Sequence, residues 1–230
     1  MPEAVVALGQ AKRVVGRLRF ESDGRRQYSH FEYDRAWLQA DDSFQLAPGL
    51  PLQAGGFFTS GRDDRRNALH NSFQDAAPDS GGRALITRAL GGGLTEFDYL
   101  TQSDDRTRQG ALRFLDDSFQ PLSRLSPPVP RLVELEQLRK LTHQFEIDPD
   151  SVEEDILNLA GVSGSLGGAR PKASIAGEGQ LWIAKFTSRD DRRAVERAEV
   201  ATLKLAARCG LMVPEARLEL ANGDSPVALI

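Results

Sequence analysis

The sequence predicts an α+β fold in two parts. A small β-rich N-terminal subdomain occupies residues 1–125, and a second unit over 126–230 is built on a twisted antiparallel sheet with one long helix. Three observations carry this reading. Residues 1 to about 60 alternate apolar and polar, with turn signals at Asp23-Gly24 and Pro48-Gly49, the pattern of paired strands with one buried face. Ser126-Pro127-Pro128-Val129-Pro130 resists both helix and sheet and marks the linker. Beyond it, two short apolar runs flank Gly177-Glu178-Gly179 and lead into a segment of helical period.

The elements follow in order. Residues from about 64 to 108 mix helical segments with a break at Gly91-Gly92-Gly93. After the linker, Leu132, Leu135, Leu138 and Leu141 turn one helix face to the core. Ser151 and Glu154 form a capping box for a further helix carrying Val152, Ile156 and Leu159. Ala173 to Ala176 and Leu181 to Phe186 read as two strands of a hairpin. A helix from about Asp190 to Cys209 comes next. At about 100° per residue, Arg197, Lys204 and Arg208 mark its solvent side. Val195, Ala198, Thr202, Ala206 and Cys209 form the expected inward stripe, with Glu199 in its middle and Glu196 on its flank. Asn222-Gly223 then suggests a hairpin before the last apolar run.

Composition limits the function classes. With 40% hydrophobic and 27% charged residues in 230, the chain is of ordinary globular type. A net charge of −4 offers no electrostatic case for nucleic acid or membrane binding. The arginine groups Arg62, Arg65, Arg66 and Arg189, Arg192, Arg193 are interleaved with aspartate and read as solvated faces. Cys209 is the single cysteine, which excludes an internal disulfide and fits a reducing cytosol; its place on the inward stripe makes it a small core residue. No signal-peptide pattern or membrane-length apolar window occurs, so a cytoplasmic location is expected. His30, His70 and His143 are isolated and lack ligand spacing.

The chemistry concentrates between Ser163 and Glu199. Gly164, Ser165, Gly167, Gly168 and Ala169 are small enough for backbone N–H groups to approach a phosphate, and Lys172 adds a positive charge at the far end. The spacing does not fit a Walker motif, and a glycine cluster alone also fits an ordinary surface loop. Lys185 shares a strand face with Leu181 and Ile183, where an unpaired buried ammonium is costly. It either snorkels to water at the strand end or grips the α- and β-phosphates of ATP as a strand lysine does in kinases. Glu199 is the matching helix carboxylate, unless it pairs with a nearby arginine. Loop, lysine and glutamate together describe the nucleotide-holding half of a protein kinase, which makes the second unit a kinase-like N-lobe.

At these residues the chain resembles the HipA family of serine/threonine kinases, the toxins of type II toxin–antitoxin modules. The resemblance extends over Val15-Gly16-Arg17-Leu18, Phe31 to Leu38, Phe44 to Leu52, Thr95 to Leu100, Gly110 to Phe114 and Gly210 to Pro214. It implies ATP and Mg²⁺ as cofactors and transfer of the γ-phosphate to a protein serine, with translation-linked targets. It implies a HipB-like DNA-binding antitoxin as partner, with DNA reached only through that partner. Gly167, Gly168, Ala169, Arg170, Pro171 and Lys172 correspond to the nucleotide-contacting part of the loop, Lys185 to the ATP lysine and Glu199 to its orienting partner. Ser165 corresponds to the autophosphorylated serine that switches the kinase off, with Ser163 as the alternate.

The chain departs from the family in three places. Arg170 stands where the family often has glutamine, which adds charge near the phosphates. Pro78-Asp79-Ser80-Gly81-Gly82-Arg83 lacks the family's aromatic, and Gly61 to Asn71 is unusually charged. No catalytic-loop or Mg²⁺-loop signature follows Glu199, so the sequence reads as the N-terminal portion of such a kinase, with the helical lobe and its metal ligands absent. No phosphoryl transfer is expected from this chain alone. Two other readings stand beside it. One is a non-catalytic interaction module that binds an antitoxin or a separate kinase lobe; the other is a small-molecule kinase on a related scaffold.

Overall fold

The structure is a computed structural model that describes residues 1–23, 25–62, 68–124, 132–148, 170–220 and 225–230. The chain is α+β, with two antiparallel sheets and helices in two compact units. One unit comprises residues 1–78 and 90–126, the other residues 79–89 and 127–230.

The first unit is organised by a five-stranded sheet in the order β4-β3-β2-β1-β5. Its strands are β1 (Glu3–Leu8), β2 (Arg13–Ser22), β3 (Arg26–Tyr33), β4 (Gly56–Arg62) and β5 (Leu112–Leu115). The apolar alternation seen in the sequence is displaced by one residue in β2. Val6 pairs with Gly16 and Ala7 with Val14, so a bulge leaves Val15 unopposed. The bulge lets Val15, Leu18 and Phe20 all reach one core, which also holds Phe31, Tyr33, Trp37, Phe73, Phe97 and Phe114. Short helices α1 (Arg35–Leu38), α2 (Asn71–Gln74) and α4 (Glu96–Gln102) supply Trp37, Phe73 and Phe97. The α4 start is a capping box, in which Thr95 accepts from the Asp98 N–H and Asp98 accepts from the Thr95 N–H.

Gly16 is required by this packing. A Cβ there would lie 2.2 Å from the Glu32 carbonyl oxygen and 2.7 Å from the Phe31 ring. The first obstacle is main chain in the neighbouring strand, which cannot swing aside. Gly16→Ala should therefore destabilise the unit by about 3 kcal/mol or more. A thermal melt within a degree or two of the unsubstituted protein would contradict this.

The second unit contains most of α3 (Ser80–Leu90), α5 (Leu135–Ile147), α6 (Val195–Arg208) and a four-stranded sheet in the order β6-β7-β9-β8. Asp79 Oδ1 accepts from the Gly82 N–H at 2.9 Å and caps α3. The segment that departs from the family's aromatic pattern is thus a helix start. α5 follows a 3₁₀ turn at Leu132–Glu134 and buries Leu135 and Leu138. β6 (Lys172–Gly177) and β7 (Gln180–Lys185) form a hairpin through Glu178 and Gly179, at φ 55° and 77°. Two successive positive φ values define a type I′ turn, whose twist suits a two-residue hairpin. β9 (Val227–Leu229) pairs with both β7 and β8 (Arg217–Glu219).

One face of this sheet buries Ala173, Ile175, Trp182, Ala184, Phe186, Val227 and Leu229. The other carries Ile183, Lys185 and Ala228, and α6 lies over it through Val200 and Leu203. α6 ends in a Schellman motif. The Leu211 N–H bonds to the Ala206 carbonyl, the Gly210 N–H to that of Ala207, and Gly210 takes φ 81°. The Pro-rich linker, the capping box at Ser151 and Glu154, and Asn222-Gly223 lie outside the described residues. Among the described residues, no helix is long and apolar enough to cross a membrane.

Candidate functional site

Strand β7 alternates as its sequence demands. Trp182 and Ala184 are buried, whereas Leu181, Ile183 and Lys185 point to the opposite face. On that face Lys185 Nζ donates to Glu199 Oε1 of α6. The pair is partly shielded, with 27% of the lysine and 32% of the glutamate side chain exposed. The expected lysine–glutamate bridge is therefore present, although the helix face differs from the expected one. Ala198, Thr202, Leu205 and Cys209 are exposed, while Glu196 and Val200 are buried and Leu203 is half-buried. α6 is rich in alanine, so its apolar periodicity offers two candidate stripes. The cations across from it draw Glu196 and Glu199 inward and decide between them. Cys209 is correspondingly an exposed free thiol rather than a core residue.

Glu196, placed on the flank by the sequence, is 1% exposed and accepts from Arg170 Nη2. Arg170 also makes a bidentate pair with Asp191, using Nη1 and Nη2. The arginine expected to add charge beside the phosphates thus faces two carboxylates. Hydrogen bonding to them raises its pKa above the usual guanidinium range. Thr187 Oγ1 donates to Glu196 Oε2 at 3.3 Å. Asp191 Oδ2 accepts from the Ser188 N–H at 2.8 Å, and Glu146 at the end of α5 accepts from Ser188 Oγ at 2.7 Å and from the Arg189 N–H at 3.0 Å. The short connection between β7 and α6 is therefore gripped from both sides, by Glu146 and by Arg170. The sequence reading missed Glu146, Asp191 and the role of Glu196. The one available signal was the i,i+3 spacing of Glu196 and Glu199, which places both carboxylates on neighbouring helix positions.

Asp191 gives this grip a pH signature. The Arg170 guanidinium holds its carboxyl below the ordinary value of 3.8. A depressed carboxylate contributes stability that is present above 3.8 and lost as pH falls through the folded value. Thermal melts below about pH 4 should show the unsubstituted protein losing more stability than Asp191→Asn. Parallel acid limbs would argue against the pair.

Lys172 pairs with Lys185 in the β6–β7 register, so the two ammonium groups stand on one face of neighbouring strands. Burial depresses the Lys172 pKa; Asp79 opposes the shift and Lys185 and Arg170 reinforce it. Like charges directly across a ladder are unfavourable, and Glu199 answers the one on Lys185. Pro171 continues the strand pairing, its carbonyl accepting from the Phe186 N–H at 3.0 Å. Gly167, Gly168, Ala169, Ser163 and Ser165 lie outside the described residues. Among the described residues, no group of three His, Cys, Asp or Glu side chains is placed to hold a metal ion.

Two family models match the chain, and they cover separate stretches. Residues 6–115 match the HipA N-terminal domain, and residues 164–230 match the HipA-like C-terminal domain. The chain belongs to the HipA family. The first match takes in all five strands of the N-terminal sheet except the first three residues of β1. The second takes in Arg170, Lys172, Lys185, Asp191, Glu196 and Glu199, every cation and carboxylate of the bridge and the clamp but Glu146. A comparison with curated proteins finds no match.

Proposed function

We propose that this HipA-family chain provides the nucleotide-gripping part of a toxin kinase that transfers the ATP γ-phosphate to a protein serine. The observation that carries this reading is the Lys185–Glu199 bridge between β7 and α6, within the stretch matching the HipA-like C-terminal domain. Lys185 holds the α- and β-phosphates of ATP, and Glu199 keeps its ammonium on the α6 side of the sheet. Lys172, opposite Lys185 in the ladder, supplies a second positive charge to the same anion. ATP supplies the phosphoryl group, and Mg²⁺ supplies charge that the described residues alone do not. Gly167, Gly168 and Ala169 provide backbone N–H groups to the phosphates. Ser165, or Ser163 beside it, is the site of an inhibitory autophosphorylation. A HipB-type antitoxin is the partner that family membership supports.

Calorimetry with Mg–ATP tests the reading. Binding by the unsubstituted protein that disappears in Lys185→Ala supports it. Binding of equal strength in a folded Lys185→Ala protein would remove Lys185 from the site. Absence of binding in both would leave the chain as an interaction module.

A further inference from the structure

Lys185 has two carboxylates within one helical turn to choose from, and only one orients it as proposed. Glu196 and Glu199 are spaced i,i+3 on α6, so their Cβ atoms are about 5–6 Å apart. Glu196 is the more demanding of the two, being 1% exposed against 32% for the Glu199 side chain. A buried carboxylate without a cation is far more costly than a half-solvated one. Left alone, Glu196 would attract the nearest flexible ammonium, and lysine, a single point charge on a four-carbon stem, can satisfy only one such demand at full strength.

The structure supplies Glu196 with a different cation. Arg170 has the planar, multi-donor head needed to serve two acceptors, and it serves Glu196 and Asp191 together. The remaining acceptor capacity of Glu196 takes the Thr187 hydroxyl. We infer that Arg170 is a positioning residue that occupies the buried Glu196 and so reserves Lys185 for Glu199. This inference rests on the reading of Lys185 as the nucleotide-gripping lysine. It also gives Arg170 a role distinct from phosphate contact, since both of its terminal nitrogens are already directed at carboxylates.

Four forms of the full 230-residue chain test it: unsubstituted, Arg170→Gln, Glu196→Gln and the double variant. Two quantities are read, the affinity for Mg–ATP by calorimetry and the rate at which an amine-acetylating reagent modifies Lys185, followed by peptide mass. Arg170→Gln should weaken Mg–ATP binding about tenfold or more and slow modification of Lys185 about threefold or more, as the ammonium turns toward the buried carboxylate. Removing that carboxylate's charge as well should return both quantities to within about twofold of the unsubstituted protein. Glu196→Gln alone should leave both near their starting values.

If Arg170 contacts phosphate directly, the double variant stays as weak as Arg170→Gln, and the inference fails. An unchanged Lys185 modification rate in Arg170→Gln overturns it regardless of nucleotide. Should the unsubstituted protein not bind Mg–ATP, the nucleotide reading fails separately, and the modification rates still decide the role of Arg170. Arg170→Lys, which retains a charge for Glu196, guards against a glutamine variant that does not fold. Lysine serves one acceptor, and Glu196, 1% exposed against 10% for Asp191, is the more demanding. Arg170→Lys should therefore keep the Lys185 rate within about twofold while giving up the Asp191 pair, and a slowed rate would count against the inference.

Discussion

Arg108→Met is expected to unfold the five-stranded unit or bring it close to unfolding. The Arg108 side chain is 1% exposed and donates to three main-chain carbonyls, those of Ala76 at 3.0 Å, Leu100 at 2.7 Å and Ser103 at 2.9 Å. Two of these belong to the last turn of α4 and its cap, where carbonyls lack helical partners and a cation is favoured. Its guanidinium also stacks over Phe114, 4.9 Å from the ring centre. Burial lowers its pKa to about 10, still well above neutrality, so the group stays charged and its hydrogen bonds are charge-assisted. Methionine fills much of the volume but leaves three buried carbonyls without donors. It also takes the neighbouring cation from Asp105, whose pKa burial already raises.

Deleting one partner of such a buried network costs about 3–5 kcal/mol, against a total stability of about 5–15 kcal/mol for a domain. Urea denaturation followed by circular dichroism should show the N-terminal transition moved to far lower denaturant. A variant within about 1 kcal/mol of the parent would mean that water replaces the lost donors without penalty.

Lys185→Ala should have the opposite profile, with a large effect on binding and a small one on folding. About a quarter of the lysine and a third of Glu199 remain exposed, so the stability contribution of their bridge is discounted by solvent. The stability change should stay within about 1 kcal/mol. On the proposed reading, the same ammonium would make charge-assisted contacts with the nucleotide worth about 1.5–3 kcal/mol each. Two of these lost together amount to a fall in Mg–ATP affinity of about a hundredfold or more. Glu199→Gln, which leaves the lysine in place but unheld, should cost about tenfold. A substitution that melts the protein and spares the affinity would reverse this assignment.

The strand and turn chemistry of the β6–β7 hairpin was legible because it is local. The hairpin turn at Glu178-Gly179 follows from glycine content and flanking apolar runs, and the facing of Lys185 follows from counting by twos along β7. The pairing of Lys185 with Glu199 was legible for the same reason, since a cation on one element and a carboxylate on the next invite each other. The bulge at Val15 was not legible. Two valines in succession leave the alternation ambiguous, and only the register with β1 shows which of them joins the main core.

The α+β class, the two strands and helix around Lys185, and its pairing with Glu199 can be read from the order of residues. Which side of α6 faces inward cannot, nor can the burial of Glu196, the exposure of Cys209 or the engagement of Arg170 with carboxylates. A helix period gives the spacing of side chains but not the direction of the sheet. In an alanine-rich helix the hydrophobic difference between faces is small, and the charges across the interface settle it. The same holds for Arg108, whose three acceptors are main-chain carbonyls that carry no sequence signature and are brought together only by the fold.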